Sequence, residues 1–355
     1  MSLPVTVQAL AFRRPGFVLG PLSFAVPAGG RLAIVGPSGS GKTTLLRCLA
    51  GLERPDQGRI QIGAQVVADD RTQVPPDRRG LGFVFQDGAL WPHMTALQHL
   101  TFAAPGLSRA QAEALLARAG LAAHAAKKPA TLSGGEAQRL GLLRALAPAP
   151  AVLLLDEPLR SVDVHQRDAM VLLVRTLADE RDLTTILVTH DRDEALALAT
   201  ELVVMHEGQV VEQGPALQLL QQPGCAFTAA FLQGAACLPT TPATTAAGPD
   251  AAAVSTPFGT FARPAGERAD LRLVLLPGDV RATAPSAGHP GPRGRILTAT
   301  PSEAGFRLRV AYGEQIVPAL ADAPLVVGSE ACLSLSRAPR LLPWQRRPST
   351  SSPTP

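Results

Sequence analysis

The sequence predicts a parallel α/β domain followed by a small all-β, barrel-like domain. Three observations carry this. Short runs that are apolar throughout alternate with helical patterns in the first 235 residues, and the apolar period falls to two in the last 120. Proline thickens between them, with 16 of the 33 prolines in residues 1–235 and 17 after. Leu32–Val35, Val152–Leu155 and Ile186–Val188 are bounded by turn signals and carry no polar residue, as strands buried on both faces should. Leu45, Leu49 and Leu52 recur at helical spacing behind the first strand, and Ser108 with Gln111, ahead of Leu115 and Leu116, reads as a capping box opening another helix. Leu202–Met205, the turn residues His206–Gly208 and then Gln209–Gly214 read as a hairpin. Further on, apolar residues alternate with Arg307 and Arg309 in Phe306–Tyr312, and Ala331, Leu333 and Leu335 alternate with Cys332, Ser334 and Ser336.

Length and apolar content set the domain count. At roughly 100 to 200 residues per domain, 355 residues that are 46% hydrophobic support two cores and exclude a wholly disordered chain. The expected division is a first domain over 1–235, a Pro/Thr/Ala-rich linker with a first possible strand over 236–268, a β domain over 269–343 and a disordered tail over 344–355. Residues 1–235 carry 21 basic and 21 acidic side chains, whereas 236–355 carry 12 and 8. So dilute a surplus, with no Lys/Arg run longer than two, is a poor footprint for nucleic acid, which is set aside as a partner. Arg346 and Arg347 in the tail could instead sit near anionic lipid headgroups. Cys48, Cys225, Cys237 and Cys332 have neither zinc-ligand nor disulfide-framework spacing and read as reduced thiols. No run approaches the ~18 uninterrupted apolar residues of a spanning helix, so the expected protein is soluble or peripheral to a membrane.

Gly36–Thr44 reads GPSGSGKTT between the Leu32–Val35 strand and the Leu45/Leu49 helix. That context fits a P-loop, in which Gly36, Pro37, Ser38, Gly39, Ser40, Gly41, Lys42, Thr43 and Thr44 wrap nucleotide phosphates. Backbone N–H groups and the helix N-terminus would face the oxygens, Lys42 would reach the β/γ-phosphates, and the Thr43 hydroxyl would ligate magnesium. A second apolar strand ends in Asp156 and Glu157. An acid at the tip of a neighbouring strand can hold the magnesium, here Asp156, and Glu157 could polarise the attacking water. Lys127 and Lys128 read as a solvated pair without a site.

Three further pieces complete the pattern: LSGGEAQR at Leu132–Arg139, Gln86 after the GFVF run, and His190 at the end of TTILVT. Together, in this order, they resemble the ABC (ATP-binding cassette) ATPases over about residues 3–235. The wording of LLRCLAGLERPDQGRI and VFQDGALWPHMT is most similar to bacterial importer cassettes of the ferric-iron type. The resemblance implies an α/β P-loop NTPase with a helical signature subdomain over about 87–147. ATP and Mg²⁺ are the implied ligands, the latter held by Thr43, Gln86 and Asp156. Two copies would pair head to tail, each ATP lying between one P-loop and the partner copy's signature, Ser133, Gly134, Gly135 and Glu136. Gln86, Glu157, His190 and Lys42 would be catalytic, with Gln86 also sensing the membrane subunit, His190 bonding the γ-phosphate and Asp163 linking the two sites.

The implied partners are a second copy, two membrane-spanning permease subunits and, indirectly, an external solute-binding protein, at the cytoplasmic face of the inner membrane. Ferric iron is the leading solute, with polyamine, molybdate, sulfate, thiamine and sugar as alternatives. An exporter cassette, a soluble ABC ATPase and a non-catalytic ATP-binding regulatory module are the competing classes. Against the soluble ATPases, only 90 residues separate Lys42 from Ser133, without heptads or CxxC. The β domain is similar in position to the barrel-like (OB/TOBE-like) regulatory domains of importer ATPases, which bind a regulator or only dimerise. Three places depart from the family wording. Phe12, with Phe17 second, stands in for the adenine-stacking Tyr or Trp; Glu136 replaces the usual Gln; and Arg160 and Ser161 replace small residues at the dimer seam.

Overall fold

Residues 2–160, 162–242, 253–264, 270–285, 291–303 and 305–345 are described by the structure, a computed structural model. Ser161, residues 243–252 of the expected linker, and Arg346 and Arg347 lie outside the described residues. The chain divides into two compact units, Met1–Leu217 and Gln218–Pro355.

In the first unit a six-stranded sheet runs Gln209–Pro215, Glu201–His206, Arg31–Val35, Thr184–Thr189, Val152–Asp156, Leu81–Val84. The last five are mutually parallel and the first pairs antiparallel at the edge, as the hairpin pattern predicted. Three strand ends are in register: Val35 lies opposite Thr189, Asp156 opposite Val188, and Val84 opposite Leu155. Every residue of Val152–Asp156 and Thr184–Thr189 is buried, which is why these strands carry no alternation.

A second, antiparallel sheet of Phe17–Val26, Val5–Arg14, Gln57–Ile62 and Gln65–Ala68 was not legible in the sequence. Register shifts interrupt Val5–Arg14 between Val7 and Leu10 and again between Leu10 and Phe12, and each shift breaks the period-two signal. Its inward residues, among them Val7, Leu10, Leu22 and Ile60, share one core with Leu45, Leu46 and Leu49 of the helix Lys42–Ala50. Burying one such side chain contributes about 1.5 to 3 kcal/mol.

The predicted helix through Leu52 ends sooner. Gly51 adopts φ +81°, the left-handed conformation that stops a helix, and Leu52 beyond it is exposed. Ser108 and Gln111 form the expected capping box of Arg109–Arg118, which together with Ala96–Ala103 and Gly134–Leu146 makes up the helical region.

The second unit begins earlier than the sequence suggested. Helix Ala226–Gln233 packs Ala226 and Ala229 on Cys237, Val274 and Trp344 of that unit, and the Phe227 N–H donates to the Trp344 carbonyl. Ala236–Pro239, expected in the linker, is a strand paired with Leu271–Leu275, and Arg340–Pro343 flanks the same strand. Trp344, expected in the disordered tail, is packed for the same reason, its N–H donating to the Asp270 carbonyl. The strands Val280–Thr283, Gln315–Ala321, Gly305–Tyr312, Arg293–Ser302 and Glu330–Leu335 close into a barrel, with Leu308 and Val310 inside and Arg307 and Arg309 outside. Cys332 departs from the predicted alternation and is buried beside Ala331 and Leu333.

One buried cation fixes the rear of the P-loop helix. Arg79, 3% exposed, donates to the carbonyls of Val74, Cys48, Leu49 and Val67. Two of these are last-turn carbonyls of Lys42–Ala50, so the guanidinium caps the helix at its negative end. Burial pulls its pKa down to about 10. Replacing Arg79 with Met strands four buried acceptors and should cost about 3 kcal/mol, read as a lower urea midpoint at unchanged m-value.

Candidate active site

The site is built where parallel strands end, the edge at which open α/β sheets place their ligands. After Val35 the chain turns at Gly36, where an added Cβ would fall 2.1 Å from the Met205 carbonyl oxygen, so only glycine fits. The loop then wraps back over Lys42, the first residue of its helix and only 5% exposed. The ammonium donates to the carbonyls of Gly36 at 2.9 Å and Pro37 at 2.8 Å, with the Ser40 hydroxyl at 3.4 Å. Burial pushes its pKa down, and the charges of Glu157 and Asp156 oppose that shift.

The Thr43 hydroxyl donates to Asp156 Oδ1 at 3.0 Å. Asp156 is 4% exposed, and its pKa is raised chiefly by burial and also by the Glu157 charge, against the Thr43 bond. A hydroxyl and a buried strand-tip carboxylate in contact suit magnesium, which takes one or two carboxylates and completes its shell with phosphate and water oxygens. Gln86, half-buried, lies two residues past Leu81–Val84 and so emerges at the same sheet edge as Asp156.

Glu157 sits at φ +45°, an uncommon conformation for a residue with a Cβ, pinned by its N–H donating to the Val188 carbonyl at 2.9 Å. Its carboxylate is 13% exposed, with Oε1 2.9 Å from His190 Nδ1 and Oε2 3.2 Å from the Arg160 guanidinium. These three line a cavity of about 260 Å³ with Ser38, Asp191 and Glu194. The acid, the histidine and the phosphate loop thus meet, although 33 positions separate Glu157 from His190 and 119 separate Ser38 from Glu157.

Sequence reasoning missed Glu194. It is 7% exposed, its Oε2 lies 2.5 Å from the Thr189 hydroxyl, and its Oε1 has no partner. Burial, with help from the Asp191 and Glu157 charges, raises its pKa to about 7 despite the Thr189 bond and Arg167. No motif or spacing singles it out in the sequence. Asp191 does cap Arg192–Leu198, but Glu194 turns inward to the strand end that carries His190.

Ser133 caps Gly134–Leu146, accepting from the Glu136 N–H at 3.3 Å, while Glu136 Oε2 accepts from the Ser133 N–H at 2.8 Å. The other Glu136 oxygen lies 3.2 Å from His124 Nε2. Backbone hydrogen bonding from Ser133 leads the causes that lower the Glu136 pKa. The substituted acid therefore serves its own helix start, and these bonds close within the helical region instead of on the phosphate loop. Asp163 caps Val164–Asp179, accepting from the His165 N–H at 2.9 Å. From the same signature helix, buried Arg144 donates to the Ala89 carbonyl and lies over the rings of Phe85 and Trp91, tying that helix to the loop that carries Gln86.

Phe12 does not reach the site. It is 6% exposed within the shared core, with Arg14 over its ring at 4.9 Å, because the shifted register of its strand turns it inward. Phe17 is half-buried beside the P-loop, its Cζ 3.0 Å from where a Cβ on Gly41 would stand.

Residues 19–160 match the family model described as ABC transporter. A Mesorhizobium japonicum Fe(3+) ions import ATP-binding protein is 39% identical over 266 residues, covering 74% of this chain and 72% of that protein. The chain belongs to the ABC transporter family. Within it, the Fe(3+) ions import ATP-binding protein of Pseudomonas fluorescens strain Pf-5 is 46% identical over 61% of this chain, and the alignment spans 63% of that protein's length. A Mycobacterium bovis sulfate/thiosulfate import ATP-binding protein is 42% identical over 65% of this chain and 67% of its own length. Among solved structures, a dimeric post-hydrolysis state of an ATP-binding cassette bound to ADP and Pi aligns at TM-score 0.54 and 29% identity, covering 60% of this chain and 98% of that one. ABC transporter cassettes bind ATP, and the phosphate loop described above is the matching feature in this chain. No helix among the described residues is long and apolar enough to cross a membrane.

Glu194 makes the first unit sensitive to pH. A carboxyl whose folded pKa stands near 7 favours the native state fully below its unfolded value of 4.5, and that contribution is lost as pH rises through about 7. Glu194→Gln should remove on the order of 3 kcal/mol of pH-dependent stability, read as a flatter plot of Tm against pH between 5 and 8.

Proposed function

We propose that the chain is the ATP-binding and ATP-hydrolysing subunit of an ABC importer. The supporting observation is the meeting of Lys42, the Thr43–Asp156 contact and the Glu157–His190 pair at one sheet edge. In this reading the P-loop N–H groups and Lys42 hold the ATP phosphates, and the ring of Phe17 faces the adenine in place of Phe12. Thr43, Asp156 and Gln86 would hold a magnesium ion, which when bound supplies charge neutralisation at the phosphate oxygens. Water attacks the γ-phosphorus while Glu157 accepts its proton. The bond from the γ-phosphorus to the β,γ-bridging oxygen breaks, giving ADP and inorganic phosphate, and His190 donates to a γ-phosphate oxygen. Positioning and charge stabilisation account for most of such catalysis, because the loose transition state leaves little covalent chemistry to the protein.

Two copies would act together, with Ser133, Gly134, Gly135 and Glu136 of each facing the other's ATP and Asp163 in the loop between the sites. They would dock on two membrane-spanning permease subunits at the cytoplasmic face of the inner membrane, supplied by an external solute-binding protein. Ferric iron is the first solute to test, on the names of the Pseudomonas and Mesorhizobium relatives; sulfate is the second, on the Mycobacterium relative. The second unit would serve as a barrel-like regulatory or dimerising module.

Glu157→Gln should lower kcat for ATP about 100-fold or more while the nucleotide still binds. Undiminished turnover would remove the catalytic assignment. Phe17→Ala should weaken ATP binding about tenfold and Phe12→Ala should instead lower Tm, which separates a stacking ring from a core ring. Chelating magnesium should stop hydrolysis, and adding it back should restore the rate. With permease partners in vesicles, ATP-dependent uptake of labelled iron is expected; uptake of sulfate alone would move the solute to the second reading.

A further inference from the structure

Arg160 stands three residues after Glu157 and three before Asp163. Its side chain is 57% exposed, yet its guanidinium turns back to Glu157 Oε2 at 3.2 Å. The other carboxylate oxygen is held by His190 Nδ1 at 2.9 Å. Both oxygens of the acid are therefore engaged, and the histidine is engaged with the acid. The backbone beneath the acid is held, with Glu157 at φ +45° and its N–H bonded to the Val188 carbonyl. A general base must present an oxygen to the water it deprotonates, and a histidine that serves a phosphate must turn its ring to that phosphate. The three-membered contact takes up one acceptor site on each carboxylate oxygen and one ring nitrogen of His190, and so competes with substrate for both groups.

We propose that Arg160 is a positioning residue that latches Glu157 in a resting contact with His190, and that drawing the guanidinium away frees the acid. This rests on the ATPase reading above. With its guanidinium 57% exposed, the pair is screened on the arginine side and exchanges easily, which suits a latch better than a structural strut. Its exposed guanidinium lies where a facing carboxylate or carbonyl could compete for it. The latch needs a long cationic side chain: a small side chain at this position could not span to Glu157.

The test compares steady-state ATPase of the full chain, wild type against Arg160→Ala, Arg160→Lys and the double change Arg160→Ala with Glu157→Gln, with binding of a fluorescent ATP analogue measured in parallel. Arg160→Ala should raise kcat about threefold to fivefold at unchanged KM, the span an exposed ion pair supports. Arg160→Lys, which keeps the charge, should stay near wild type, and the double variant should stay inactive. A kcat for Arg160→Ala equal to or below wild type overturns the latch, as does an equal gain in Arg160→Lys. If wild type and Arg160→Ala bind the analogue and turn over alike, the latch alone fails. If neither binds it, the ATPase reading fails with it.

Discussion

A lysine and two carboxylates held at one buried sheet edge are the constraint on which the first unit depends. Lys42 is 5% exposed and Asp156 is 4% exposed, and in a medium less polar than water each destabilises the fold unless an opposite charge or a hydrogen bond compensates. Compensation comes from near and far in sequence: neighbouring loop carbonyls for the lysine, distant Thr43 for Asp156, and distant His190 with nearby Arg160 for Glu157. The opposed directions of the Lys42 and Asp156 pKa shifts express one fact, that burial disfavours both charged forms while each stabilises the other. A polyphosphate with its cation adds charges of both signs to such a site, which is the complement that these groups lack on their own.

Two buried arginines carry the geometry outward from that edge. Arg79 anchors the far end of the P-loop helix to the antiparallel sheet through carbonyls alone, so the near end can be presented to phosphate on a rigid base. Arg144 binds the signature helix to the loop after Gln86 through one carbonyl and two rings. Neither has a carboxylate among these partners. Their burial is offset by backbone dipoles and aromatic faces, which tolerate no shift of the surrounding chain and so transmit position.

How far the sequence could be read depended on whether a feature was local. Glycine spacing, the Lys-Thr pair and the acid at a strand tip are contiguous, and the fully apolar strands announced a sheet buried on both faces. The antiparallel sheet was hidden because register shifts in Val5–Arg14 break the alternation that would reveal it. The same shifts decide that Phe12 enters the core while Phe17 borders the P-loop, a choice that spacing from the P-loop could not make. The expected first domain, residues 1–235, takes in helix Ala226–Gln233, yet the apolar face of that helix belongs with Val274 and Trp344.

By itself, then, the sequence determined the fold class and the identity of the phosphate loop, because both are written in residue type and short-range spacing. Only the tertiary structure decided what each charged side chain faces. Glu136 turns to its own helix start, Glu194 turns inward to Thr189, and Arg160 turns back onto Glu157. The physical reason is that the energy of a charge is set by its burial and its partners, and those partners come from strands and loops that meet only when the sheet has formed.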